Sequence, residues 1–229
     1  MLGLSEADWT ALALTLRLAL ISTALLLVLA LPLAWWLART PSRLKPPVEA
    51  LVTMPLILPP TVLGFYLLLV LGPEGPLGAA LERIGVGHLA FSFPGLIIGS
   101  MVYSLPFVVQ PLQNAFHAMG SRPLEVAATL GASPLDRLLT VVLPLARRGL
   151  LTAAVLSFAH TLGEFGMLLM IGGGIPGETE VASIAIYNYV EAMDYAAAHR
   201  LSLILMAFAF SLVLLVYTLN RRVRIVGVT

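Results

Sequence analysis

The 229-residue sequence contains no cysteine. Thiolate catalysis, cysteine-based metal sites and disulfides are therefore excluded. Charge is scarce as well. Asp, Glu, Lys and Arg together make up 11% of the chain, where a soluble domain carries about 25%. The net charge of +1 leaves no basic footprint for nucleic acid, and none is expected as a partner. Catalytic signatures are missing too: there is no H-E-x-x-H metal site and no G-x-S-x-G elbow. The absence of G-x-x-x-x-G-K-[ST] means that this chain does not bind ATP in the P-loop manner. It shows neither an internal repeat, such as many secondary transporters carry, nor low complexity beyond its richness in Leu and Ala.

Apolar side chains dominate instead. Hydrophobic residues reach 59% and the mean hydropathy is +0.96. That is more apolar surface than one compact core can hide, so a soluble enzyme gives way to an integral membrane protein. The few charges mark out the spans. Charge-poor runs at 18–38, 50–73, 93–115, 149–171 and 201–220 are each long enough for the ~20 residues that a bilayer core requires. These Leu/Ala runs lack the alternation of barrel strands, so the expectation is an all-α polytopic membrane protein of about five transmembrane helices in one domain, 1–229. The first run is expected to remain as a membrane helix. Glu6 and Asp8 stand where a cleaved signal would carry positive charge, and the run is too long.

Ten of the 13 basic residues fall at 39, 43, 45, 122, 137, 147, 148, 221, 222 and 224, on one side of a five-span chain. The positive-inside rule then places the C-terminus in the cytoplasm and the N-terminus outside. On the outer side, the spacing of Val181, Ile184, Ala185 and Asn188 predicts a short surface helix within 181–195, with a shallow re-entrant dip as the alternative. Gly172-Gly173-Gly174 reads as a flexible exit loop.

The longest cytoplasmic segment, 116–148, carries a pattern of its own. Ser121 can cap a short helix with Pro123 in its first turn and Glu125 near its positive end. Val126, Ala127 and Leu130 form its apolar face, and Gly131 supplies a left-handed stop. Ser133, Pro134 and Asp136 then open a second helix, and Leu143-Pro144 leads into the fourth span. An apolar face outside the membrane needs a cover, either the lipid interface or another protein.

Glu125-Val126-Ala127, Gly131 after three further residues, and Val141-Val142-Leu143-Pro144 after nine more resemble the EAA motif of ABC-importer permeases. Val126 replaces Ala and Val141 replaces Ile, both apolar changes. The resemblance extends over essentially the whole chain. Residues 54–64 (MPLILPPTVLG), Gly163-Glu164-Phe165-Gly166 and Ile175-Pro176-Gly177-Glu178-Thr179 are similar to segments of molybdate-type permeases, with sulfate and tungstate permeases sharing much of the pattern. The resemblance implies a permease subunit that moves a tetrahedral oxyanion, most readily molybdate, by alternating access across a bacterial cytoplasmic membrane. It also implies the partners: a second copy of the chain, two cytoplasmic P-loop ATPase subunits and a periplasmic or extracellular oxyanion-binding protein. No cofactor is expected on this chain, with ATP and Mg held by the ATPase. Glu125, Val126, Ala127, Leu130, Gly131, Ser133, Pro134, Leu143 and Pro144 are the implied ATPase-coupling residues.

Within the spans, Glu164 is the costly residue, since a carboxylate at membrane depth marks function or a partner. His160 precedes it by one helical turn, so the two can hydrogen-bond. The pair either lines the pathway or a dimer seam, or locks helices together. An intramembrane acid–base or metal pair is the enzymatic alternative, though it lacks a third ligand or a nucleophile. An anion pathway excludes a bare carboxylate, so Glu164 is expected to be protonated or paired within the protein. Pro55, Pro59 and Pro60 break the entry to the second span, and Gly163 adjoins Glu164. Together with His160, these five are the candidate pathway or gate residues. Ser22 and Thr23 are expected to serve helix packing.

Overall fold

The computed structural model describes residues 3–225. Its elements are α1 (Glu6–Arg39), α2 (Lys45–Thr53), α3 (Pro60–Leu71), α4 (Pro76–Arg83), α5 (Phe93–Met119), α6 (Arg122–Thr129), α7 (Pro134–Arg137), α8 (Leu143–Leu162), α9 (Gly166–Gly172), α10 (Ala182–Glu191) and α11 (Tyr195–Ile225). No strand occurs among the described residues. Among the described residues, five stretches are long and apolar enough to cross a membrane: Glu6–Arg39, Pro60–Arg83, Phe93–Met119, Pro134–Leu162 and Tyr195–Leu215. The side chains of Asn220 and of the basic residues at 221, 222 and 224 lie outside the described set.

At 34 residues, α1 is about 50 Å long by its rise per residue, more than a bilayer core needs. Ser5 and Asp8 close a capping box at its start. Asp8 also accepts from the Tyr189 hydroxyl of α10 at 2.8 Å, and that bond raises the Tyr189 pKa above its ordinary value. The central helix is α5, which packs against α1, α3, α8 and α9. Small residues allow the closest approach. A Cβ on Gly149 of α8 would stand 2.4 Å from the Ala115 Cβ of α5, the small-residue device of membrane helix pairs. Thr23 of α1 donates to Ser157 of α8 at 3.3 Å, the packing role expected for it.

Two apolar cores stack along the bundle. Leu37, Val108, Leu112, Phe116, Val142 and Ala153 fill the end that carries the basic loop. Leu18, Leu96, Met167, Leu168, Ile171 and Ile184 fill the opposite end.

The structure moves two span boundaries. The expected second span, 50–73, divides. Lys45–Thr53 forms the separate helix α2, which is anchored to α5 by Gln113 Nε2 donating to Glu49 Oε1 at 2.6 Å. A 3₁₀ turn (Met54–Leu56) follows, and the spanning helix restarts only at Pro60. Prolines that cannot donate backbone hydrogen bonds cause this break. The expected fourth span, 149–171, also divides. It begins earlier, at Pro134, passes through a π-helical segment (Leu138–Val142), and stops at Leu162. The chain resumes as α9 after Gly163, Glu164 and Phe165.

On the opposite side, the short helix expected within 181–195 forms as α10, with Tyr187, Asn188 and Val190 exposed and its first turn held inside. Val181, Ala182, Ile184 and Ala185 are buried, and the Ala182 amide donates to Thr15 Oγ1 of α1 at 2.8 Å. Gly173 and Gly174 form a packed left-handed turn rather than an open loop. Their φ angles are +67° and +65°, and Phe91 and Ile184 sit against them.

Candidate functional site

The basic loop is built as the sequence spacing predicts, with one exception. Ser121 precedes α6, but its side chain makes no capping bond, because its backbone is already helical and turns the hydroxyl away from the first turn. Gly131 ends the helix at φ +84°, a left-handed geometry that favours glycine. Ser133 Oγ then accepts from the Asp136 amide at 3.2 Å and caps α7, whose first residue is Pro134. Since α5 runs on to Met119 and α7 leads almost directly into α8, the irregular part of 116–148 is confined to the neighbourhood of 120–133.

Val126 is 58% exposed and Leu130 81% exposed, and Leu135 beside them is exposed too. Glu125 and Ala127 share the short helix α6, which buries no residue. Arg39, at the end of α1, donates to the Gly120 carbonyl at 2.7 Å and lies over the Trp35 ring. The loop thus presents an uncovered apolar knuckle on a scaffold fastened to the first span. Leu143 and Pro144 follow directly on the π-helical segment Leu138–Val142, whose wider turn accommodates a proline that cannot donate to the preceding turn.

The second site lies where the two broken spans meet. Pro60 and Thr61, opening α3, and Gly163, Glu164, Phe165 and Gly166 line one cavity of about 600 Å³ together with Tyr103, Ala159 and His160. Pro55 and Pro59 belong to the break but do not line the cavity. Pro55 is buried, and Pro59 immediately precedes α3.

The expected contact between His160 and Glu164 is present, with Nδ1 3.2 Å from Oε1. The carboxylate is also held from α5. Ser100 donates to Oε2, and Ser104 donates to Oε1 at 3.0 Å. Ser104 Oγ lies 2.9 Å from His160 Nδ1. The Ser183 hydroxyl of α10 donates to the Glu164 carbonyl at 2.5 Å, satisfying a backbone acceptor freed by the break. Phe107 stacks on the imidazole at 4.2 Å, and Tyr103 packs at 4.6 Å.

Ser100, Tyr103, Ser104, Phe107 and Ser183 were not among the residues expected from the sequence. Ser100 and Ser104 were detectable as hydroxyls four residues apart on a span, able to point the same way. A metal role for His160 and Glu164 finds no support, since no cluster of three His, Cys, Asp or Glu occurs among the described residues.

Comparison with known proteins adds the context for both sites. The model of the family described as "Binding-protein-dependent transport system inner membrane component" matches residues 30–225. The molybdenum transport system permease protein ModB of Azotobacter vinelandii is 57% identical over 218 residues, covering 95% of this chain and 96% of that protein. The sulfate transport system permease protein CysT of Salmonella typhimurium is 32% identical over 215 residues, covering 93% of this chain and 77% of that protein. Among solved structures, a bacterial alginate ABC transporter in complex with its alginate pentasaccharide-bound periplasmic protein matches with a TM-score of 0.77. The match covers 98% of this chain and 82% of that one at 21% identity, and supports the fold.

Proposed function

The chain belongs to the family of binding-protein-dependent transport system inner membrane components, and from that membership we propose that it is the permease subunit of an ATP-driven molybdate importer. It is a multi-pass protein of the inner membrane and no enzyme in its own right, with ATP hydrolysis carried by a separate subunit. The observation that carries the anion is the 57% identity to a molybdenum permease over nearly the full length of both chains. Sulfate is the weaker reading, with 32% identity behind it, and tungstate is the close chemical competitor.

Coupling follows from the loop. The exposed Val126 and Leu130, turned by Gly131, form a knob that fits a groove on a cytoplasmic ATPase. Two ATPase subunits serve two copies of this chain, with the pathway at their two-fold seam. Each ATPase binds the ATP and Mg. ATP-driven closure pushes the knob, and the bundle rocks between two packings. A soluble oxyanion-binding protein delivers cargo on the outer side, which is also the side of the N-terminus in this reading, opposite the end rich in basic residues.

The breaks at Pro59-Pro60 and Gly163–Phe165 are the gate region, because irregular backbone at membrane depth is tolerated beside a cavity or within protein. The test is reconstitution with ATPase and binding protein in vesicles, with labelled molybdate as cargo and tungstate and sulfate as competitors. Molybdate and tungstate should compete and sulfate should compete poorly. Preferred uptake of sulfate would overturn the assignment of the anion.

A further inference from the structure

At the end rich in basic residues, which the importer reading that this inference rests on puts in the cytoplasm, a second cavity stands apart from the helix break. It is a groove of about 620 Å³ between α1 and the loop that carries the knob. Val28, Leu31 and Trp35 form its α1 wall, and Leu124, Leu138 and Val142 close it from the loop and the start of the fourth span. Val28 is 69% exposed, and Leu25 and Leu29 on the same face of α1 are exposed too. The groove therefore opens on a flank of α1 that is apolar and uncovered by the chain.

Its depth matches one leaflet. Val28 lies eleven residues before Arg39, about 16 Å along the helix axis. Half of a hydrocarbon core is about 15 Å. The groove thus starts near the headgroups, at Trp35, and reaches toward the bilayer midplane at Val28.

The lining holds one charged residue, Arg137. Its Nε is shut off from solvent with no acceptor, and its guanidinium has no hydrogen-bond or ion-pair partner among the described residues. A buried N–H left unmatched is costly, and such a group calls for an acceptor. Arg39 nearby is already engaged, with Gly120 and the Trp35 ring. A guanidinium at the mouth of an apolar groove suits a phosphate that carries a hydrocarbon tail.

We propose that this groove is a binding site for an anionic phospholipid of the cytoplasmic leaflet: one acyl chain lies along α1 from Trp35 to Val28, and the phosphate accepts hydrogen bonds from Arg137. The lipid joins the first span to the loop, because Leu31 and Trp35 touch it from one side and Leu124 and Leu138 from the other. The knob stays free for the ATPase, since Val126 and Leu130 do not line the groove. Basic pockets at this depth favour anionic headgroups over zwitterionic ones.

The experiment uses Trp35 as the reporter. The chain has three tryptophans, and Trp9→Phe with Trp36→Phe leaves Trp35 alone. The permease with its ATPase is placed in phosphatidylcholine vesicles containing a minor share of lipid brominated in the acyl chains. The brominated lipid is phosphatidylglycerol in one set and phosphatidylcholine in the other, at equal share. Bromine quenches a tryptophan that it touches. Phosphatidylglycerol should be about fivefold more effective, the preference expected of one basic contact. Arg137→Gln should make the two lipids equal. Arg43→Gln, at an exposed arginine outside the groove, should keep the preference.

Equal quenching by the two lipids in the protein with Arg137 intact overturns the proposal without a further variant. A preference lost as fully in Arg43→Gln as in Arg137→Gln marks diffuse attraction to the basic surface and overturns it as well. So does a Trp35 that neither lipid quenches, because the groove is then filled by protein, either the ATPase or a second copy. The readout needs no cargo and no ATP. Vesicles that show the lipid preference but carry none of molybdate, tungstate or sulfate would overturn the importer reading alone.

Discussion

Arg39 donates to the Gly120 carbonyl at 2.7 Å, joining the last turn of the first span to the residue at which the basic loop begins. The guanidinium also rests on the Trp35 ring, 4.7 Å from its centroid, and Trp35 meets Phe116 edge-on at 5.1 Å. Movement of the loop is therefore passed to α1 and α5 together. Arg39→Ala should leave the protein in the membrane but lower the molybdate carried per ATP several-fold. The paired measurement of uptake and hydrolysis in the same vesicles checks this.

Gly131 sets the shape of the knuckle. At φ +84°, a β-branched residue pays the left-handed penalty of about 1–2 kcal/mol or reshapes the turn. Gly131→Val should abolish ATP-driven uptake while membrane insertion is retained. Normal uptake by this variant would remove the coupling role.

The apolar knob makes a separable prediction. Leu130 contacts little within the chain, so Leu130→Asp should change the melting temperature of the purified permease hardly at all. The same change should prevent co-purification of the ATPase, because a charge would be buried in its groove. Parallel melting and pull-down measurements separate the two effects.

Glycines that allow close packing should differ sharply from those in open turns. Gly149→Ala would force its methyl group against Ala115 Cβ and should destabilise the bundle by about 1–3 kcal/mol. Gly163→Ala meets nothing closer than 3.8 Å and should be tolerated. Thermal unfolding in detergent distinguishes them.

The buried carboxylate makes a fifth prediction. Ser104→Ala removes a donor to Glu164 and a partner of His160, at a cost of about 1–3 kcal/mol for a group left unsatisfied. Made on a Glu164→Gln background, the same change should cost less, because no buried charge then depends on it. A double-mutant cycle on thermal stability reads the coupling.

These sites differ in how far the sequence exposed them. The loop was legible because its signals are local: Gly131 for the turn, Ser133 and Pro134 for the restart, and the spacing to Leu143-Pro144. The spans were legible from the places where charges interrupt apolar runs. Their breaks were only half legible. Pro55, Pro59 and Pro60 announced one, but Glu164 read as a polar residue within a helix rather than as the point where the helix stops. Its donors lie 60 and 64 residues away on α5, and no local pattern pairs them. The burial of 181–185 was hidden for the same reason, since it depends on Thr15 of α1.

The central claim is ATP-driven oxyanion import through this chain. The most direct test is labelled molybdate uptake into vesicles holding the permease, its P-loop ATPase and the oxyanion-binding protein, with and without ATP. Accumulation should require all three proteins and ATP and should be lost in Gly131→Val. Equal uptake without ATP or without the ATPase would contradict it.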